Sequence, residues 1–395
     1  MNAATASSAT ASSDWGVFGQ TSAVASLQHA IATGHLAHAY LFSGPEGIGK
    51  STLARRLVQA LVCEAAPQLG GIEQRPCLAC RACKHVEAGT SPDIERIAIG
   101  GVCDEGGTAH RDHAADGSTR IRICQVRRLE RVASLTPYQS PRRIFIIDTA
   151  DELQREAAHA MLKTLEEPPA SVLLILLATD IDALLPTVRS RCQEIALRPM
   201  PYRALAAALQ QHAGVEPATA LALAEESNGR YGLAFRLHTD PSLGMLRETA
   251  LLDAARIAAA GRNERFDYAG TLASRWSKER LSVLETFEVW KRWWRARLFE
   301  AAAAQSPQFV QSGQSGQSSE RARCSAPDAL RALRAITRAR VHLLENTSPP
   351  LALEVMMLDL PVLAAGDQAH TPEGESPAGG HEHREEAREA AASSF

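Results

Sequence analysis

Eight residues narrow the possibilities for this chain more than any others: Gly44-Pro45-Glu46-Gly47-Ile48-Gly49-Lys50-Ser51. They fit the phosphate-cradling pattern G-x-x-x-x-G-K-[ST]. Apolar residues 39–42 before them read as a strand, and residues 52–62 after them as an amphipathic helix. Glycines let backbone N–H groups close on an anion with no Cβ in the way, and the helix N-terminus adds partial positive charge. Lys50 would then reach the β- and γ-phosphates of a nucleotide, and the Ser51 hydroxyl would ligate Mg²⁺. The other reading is a chance glycine-rich turn between a strand and a helix.

A chain of 395 residues has room for two or three domains. Its net charge of −3 gives no overall nucleic-acid signature, so any DNA contact must be local. Residues 1–13 are Ala/Ser/Thr-rich, with neither a basic nor an apolar signal region, and read as disordered. No apolar run reaches membrane-spanning length, so no membrane partner is expected and the cytoplasm is the expected compartment. Of eight cysteines, Cys63, Cys77, Cys80 and Cys83 fall directly after the P-loop helix with spacing C-x13-C-x2-C-x2-C. With no export signal, the cluster reads as metal ligation rather than disulfides. Four thiolates favour a closed structural Zn²⁺ site. An iron–sulfur cluster, a replacement of one cysteine by His85, and four unrelated reduced thiols are the alternatives.

Further along, residues 93–99 read as a strand. Residues 100–119 are Gly-, Asp- and His-rich and read as an inserted, solvated surface loop, in which His110 and His113 need no metal. Residues 121–135 read as a helix with Arg122, Arg127, Arg128 and Arg131 on one face, which either meets DNA phosphates or is simply solvated. Apolar residues 144–147 ending in Asp148 form a Walker-B-like strand, whose carboxylate can hold the Mg²⁺ of a P-loop nucleotide. The next position, often Glu in such ATPases, is Thr149, and Asp151 and Glu152 are displaced along the chain. A strand over 172–178 closes on Thr179, placed to sense the γ-phosphate. Arg189 and Arg191 follow, then a last strand at 195–197 and the Pro-containing boundary 198–201. Residues 202–237 and about 240–362 are helical in pattern. Phe287, Trp290, Trp294 and Leu298 form an apolar stripe among Lys291, Arg292, Arg295 and Arg297; a helix-packing stripe is expected, with base stacking as the alternative. Residues 305–321 read as a flexible insert, and those after about 364, with His381 and His383, as a disordered tail.

These residues together resemble the delta-prime subunits of the bacterial DNA polymerase III clamp loader, of the AAA+ superfamily. The likeness runs from about Trp15 to Leu363, outside the two inserts and the tails. It is carried by Gly19-Gln20, residues 38–45, the four cysteines, residues 160–169, Ser190-Arg191-Cys192 and residues 346–354. The resemblance implies an α/β, RecA-like AAA+ P-loop domain over 14–198, with a Cys₄ zinc module at about 63–85 and the insert at about 100–119. It implies a helical lid over 199–240 and an all-α collar over 241–363 that joins a five-subunit ring. Its implied partners are the gamma/tau and delta subunits, the sliding clamp and, through the assembly, primed DNA. Its implied role is to help load the clamp in DNA replication, as part of a DNA polymerase holoenzyme. By the match of Ser190-Arg191-Cys192, Arg191 is the arginine offered in trans to the ATP site of a neighbouring motor subunit.

Two departures bear on activity. Motor subunits carry Asp-Glu where this chain has Asp148-Thr149, and a lid arginine where it has Gly232 within Gly229-Arg230-Tyr231-Gly232-Leu233-Ala234. The expectation is therefore ATP or ADP with Mg²⁺ held by residues 44–52 (Gly44, Pro45, Glu46, Gly47, Ile48, Gly49, Lys50, Ser51 and Thr52), Asp148 and Thr179. Hydrolysis by this chain itself is expected to be weak or absent. The rivals are an active motor subunit and a zinc-dependent DNA-binding protein of another pathway.

Overall fold

The computed structural model describes residues 15–64, 75–103, 113, 118–304, 324–344 and 347–363. The expectations for residues 1–13, 305–321 and 364–395, and for most of 100–119 including His110, lie outside the described residues.

Five short segments become strands: β1 (Ala39–Ser43), β2 (Ile94–Ile97), β3 (Arg143–Ile147), β4 (Val172–Ala178) and β5 (Gln193–Ala196). They form one parallel sheet in the order β2-β3-β4-β1-β5. Helix α1 (Thr21–Thr33) precedes the sheet; parallel strands need crossovers, and these are supplied by α2 (Lys50–Val62), α3 (Arg81–Glu87), α4 (Ile123–Ala133), α5 (Arg155–Glu166) and α6 (Pro186–Arg189). Central β4 is buried along its whole length and explains the two-sided architecture. Its Val172, Leu174, Leu176 and Ala178 pack with α4 and α5, while Leu173, Ile175 and Leu177 pack with α1 and α2. Such a strand reads as an unbroken apolar run because helices cover both faces.

Three expected elements shift; the last strand, expected over 195–197, spans Gln193–Ala196. The strand expected over 93–99 spans Ile94–Ile97, and the Asp93 carboxylate just before it accepts N–H bonds from Tyr138, Gln139 and Ser140. The helix expected over 121–135 spans Ile123–Ala133, because Ile121 is spent in a parallel bridge to Leu153. The solvated loop expected over 100–119 is corrected where the structure describes it. Cys103 and His113 are fully buried and Thr119 nearly so, since they fold in against Cys124 of α4 and the backbone of Leu344.

The remaining described residues are helical. Three helices, α7 (Tyr202–Ala213), α8 (Pro217–Glu226) and α9 (Tyr231–Thr239), share a small core around Leu205, Leu209, Ala220, Leu233 and Ala234. Glu216 caps α8 by accepting from the Thr219 N–H, and Pro217 starts the helix where its missing N–H costs nothing. Five more, α10 (Pro241–Ala259), α11 (Arg262–Lys278), α12 (Arg280–Ala304), α13 (Ala326–Leu344) and α14 (Pro349–Asp359), enclose the largest core. Phe287, Trp290 and Trp294 are buried inside it, and the Trp290 indole donates to Ala250 O at 2.9 Å. The aromatic stripe is therefore a packing stripe, with no face left for stacked bases. Arg265 is buried there too, its guanidinium donating to the carbonyls of Ile257, Ala258, Met357, Leu360 and Pro361. One side chain thus satisfies the C-terminal carbonyls of both α10 and α14, which otherwise lack partners inside their helices. Between the two helical groups, buried Arg247 is paired to Glu226 of α8 and Glu285 of α12.

Candidate functional site

The glycine-rich loop sits at the C-terminal edge of β1, where the chain must turn sharply into α2. Gly44, Gly47 and Gly49 take positive φ, a region costly to residues with a Cβ. A Cβ on Gly44 would lie 2.7 Å from Leu197 O. Lys50, the first residue of α2, turns its ammonium back onto the loop: Nζ donates to Gly44 O (2.5 Å), Pro45 O (3.2 Å) and Thr179 Oγ1 (3.0 Å). Burial lowers its pKa, against the attraction of the Asp151, Glu46 and Asp148 carboxylates. Ser51 follows, exposed, and Thr52 is half-buried in the first turn of α2. The structure thus brings residues 44–52 together with Thr179 and Asp148, and this arrangement fits a nucleotide with its metal: a fixed cation, a compact glycine turn, a helix N-terminus and carboxylates.

Asp148 lies at the end of β3, its N–H bonded to Ile97 O at 2.8 Å and its carboxylate paired with Arg96 of β2. Thr149 is left-handed (φ 52) and donates its hydroxyl to Asp148 O at 2.6 Å. The position after the Walker-B aspartate therefore presents no carboxylate. Asp151, which the sequence reading left aside as displaced, is drawn back toward Lys50. Its Oδ2 accepts the N–H groups of Thr179 (3.2 Å) and Asp180 (3.0 Å), and its Oδ1 is buried with no hydrogen-bond partner. The turn from β3 into α5 brings it there, and sequence spacing alone gives no sign of it.

The start of α9 closes over the outside of the loop. Gly232 N donates to Gly47 O at 2.9 Å, Arg230 Nη1 to Glu46 O at 3.2 Å, and Arg236 pairs with Glu46 at 3.1 Å. The segment leading into α1 holds the same junction. The Gln20 amide exchanges hydrogen bonds with the Arg198 backbone, and the Phe18 ring lies 4.2 Å from that of Tyr231.

Arg191 is apart from this site, beyond α6 and next to edge strand β5. It pairs with Glu166 at 2.7 Å and donates to Thr187 O at 3.0 Å, with about a third of its side chain exposed. Arg189 pairs with Glu194 and Asp182. Of the basic face on α4, Arg128 is paired to Glu95 at 2.7 Å.

The cysteine cluster gathers at the C-terminal end of α2. The ligand atoms of Cys63, Cys77, Cys80 and Cys83 lie within 4.8 Å of one another, and His85 is outside the set. Cys63 ends α2 and Cys80 caps α3, its sulfur accepting from Cys83 N, while Cys77 Sγ accepts from Cys80 N at 3.3 Å. Burial pushes the Cys80 thiol up, but N–H donors from Cys83 and Glu64 outweigh it and bring it down to about 7. Four thiols converging with N–H···S support fit a tetrahedral soft ion such as Zn²⁺. No helix of the described residues is long and apolar enough to cross a membrane.

Residues 19–201 match the family described as DNA polymerase III, delta subunit. Curated relatives include DNA polymerase III subunit gamma of Buchnera aphidicola, 33% identical over 176 residues (45% of this chain, 42% of that one). Subunit tau of Escherichia coli is 30% identical over 218 residues (54% and 30%). Subunit delta' of Bacillus subtilis is 32% identical over 202 residues (51% and 54%). The chain spans about half the length of these relatives or less. A solved DNA polymerase III gamma subunit-related protein from Thermotoga maritima is 17% identical, covering 85% of this chain and 97% of that one at a TM-score of 0.33. Residues 19–201, which carry the P-loop and the parallel sheet, are thus similar to DNA polymerase III subunits of the delta, gamma and tau kinds.

Proposed function

We propose that this chain is a delta-prime-type subunit, one that holds ATP or ADP with Mg²⁺, turns it over weakly if at all, and works on a neighbouring motor subunit through Arg191. The assembly so formed would help load a sliding clamp onto primed DNA, with gamma/tau-like and delta-like subunits as partners. The observation that carries the reading is Thr149. It stands where a motor subunit needs its general base, with its hydroxyl turned onto a backbone carbonyl. Gly232 supports it, because its backbone bonds the P-loop where a motor subunit would extend an arginine over the nucleotide. The cysteine cluster supports one structural zinc ion.

An active motor is the second reading, favoured by the intact Lys50 and Ser51 and by likeness to gamma and tau relatives as well as delta'. Purified full-length chain separates the two, by ATP binding and turnover with Lys50→Ala as control. Nucleotide binding that Lys50→Ala abolishes, with negligible turnover, is the expected result. Turnover that depends on Lys50 would overturn the non-motor reading and make Asp151 the first carboxylate to test.

A further inference from the structure

Three strongly coordinating side chains meet away from both the P-loop and the cysteine cluster described above. The ligand atoms of Cys103, His113 and Cys124 lie within 4.8 Å of one another. Cys103 and His113 are completely buried and Cys124 is 9% exposed. His113 Nε2 is 3.0 Å from Cys124 Sγ. We propose that Cys103, His113 and Cys124 form a second metal site of the Cys₂His type, selective for Zn²⁺ or a similar borderline-soft divalent ion.

The geometry suits the ion. Zinc bonds of about 2.3 Å to sulfur and about 2.0 Å to nitrogen set tetrahedral donors about 3.5–3.8 Å apart. The trio's ligand atoms lie within 4.8 Å of one another, so small side-chain rotations would bring them to that spacing. Two thiolates and an imidazole are the donor types that zinc prefers over magnesium or calcium. The fourth position of the tetrahedron goes to water or one further donor.

The surroundings give the site a purpose. Between Gly101 and Ser118 the sequence offers Val102 as its only large aliphatic residue amid glycines and charges, too little to bury such a loop by the hydrophobic effect alone. Yet Cys103 and His113 are buried, and coordination of an ion would supply free energy to hold them there. Cys103 comes from the chain after β2, and Cys124 from the first turn of α4. The intervening segment rejoins the fold at its junctions. Ile121 N donates to Glu152 O at 2.9 Å, just beyond Asp148, and Thr119 Oγ1 donates to Leu344 O at 3.1 Å, at the end of α13. Glu152 also pairs with Arg340 of α13. An ion at this trio would tie Cys103 and His113 to the first turn of α4. It is a structural staple, separate from the cluster of four cysteines.

Native mass spectrometry of the full chain, with elemental analysis, tests this on the wild-type protein without depending on any variant's folding. About two zinc ions per chain are expected, falling to one in Cys124→Ser and to one in Cys80→Ser. One ion that Cys124→Ser loses and Cys80→Ser keeps also supports the site while removing the four-cysteine assignment. A single ion lost in Cys80→Ser and kept in Cys124→Ser overturns the proposal, as does a disulfide-linked peptide joining Cys103 to Cys124. Cobalt substitution of Cys80→Ser adds a second readout: thiolate-to-cobalt absorption that vanishes on His113→Ala is expected, and a spectrum indifferent to His113 counts against the site.

Discussion

The side chain of Asp93 is fully buried, and its two oxygens accept the N–H groups of Tyr138 (2.6 Å), Gln139 (2.7 Å) and Ser140 (2.8 Å), with Arg143 at 3.6 Å. Burial alone would raise its pKa, but the three N–H donors and Arg143 hold it below the usual carboxylate range. The turn it closes leads directly into β3, and so into Asp148. A depressed carboxylate adds stability above its unfolded pKa of about 3.9 and loses it as pH falls through the folded value. Asp93→Asn keeps one acceptor and turns an NH₂ toward donors, so it should cost about 3 kcal/mol at neutral pH. Urea unfolding of both proteins at several pH values should show that gap constant above about pH 5 and shrinking below about pH 4. A gap that ignores pH would mean that Asp93 acts through packing and not through charge. Nothing in the sequence marks this residue, because its partners lie some 45 positions away. Lys50, Ser51 and Asp148 were legible because their chemistry is local: each follows a strand by a fixed number of residues.

At the level of elements, α9 and the glycine loop are fitted backbone to backbone. Replacing a helical glycine by alanine ordinarily stabilises by roughly 0.5–1 kcal/mol. At Gly232 the sign reverses, since the new Cβ would lie 2.8 Å from Gly47 O, a backbone atom of a constrained loop. Gly232→Ala should therefore lower stability by about 1–3 kcal/mol and change nucleotide affinity, because α9 must withdraw from the loop. Thermal unfolding and nucleotide titration would check it; an unchanged or raised Tm would show that the contact is dispensable. Strand β4 matches its expected range, because a strand covered on both faces needs no partner information to be recognised, whereas the mixed edge strands β2 and β5 differ from theirs. The loop over 100–119 was misread where Cys103, His113 and Thr119 are concerned. Its polarity suggested solvent, whereas burial came from Cys124 and Leu344, which are distant in sequence.

At the scale of the whole molecule, Arg191 stands just before edge strand β5 and is paired with Glu166 of α5. Its pair with Glu166 is half-exposed and so worth at most about 1 kcal/mol, a small cost for swinging the guanidinium to a phosphate. In a reconstituted assembly, Arg191→Ala should leave nucleotide binding by this chain intact and depress ATPase by about 10³-fold or more at the site it faces. An assembly ATPase equal to wild type would remove the trans role.

The sequence by itself determined the P-loop between its strand and helix, the run of helices that follows and the gathering of four cysteines. Each depends on residue types at short, fixed spacing, where helix and strand geometry leave little choice. Only the tertiary structure decided that Asp151 returns to Lys50, that Gly232 rests on Gly47, that Arg265 closes two helices and that Cys103, His113 and Cys124 meet. These contacts join residues from separate elements. Their distances are set by how the helices pack on the sheet and on one another, information that no local pattern carries.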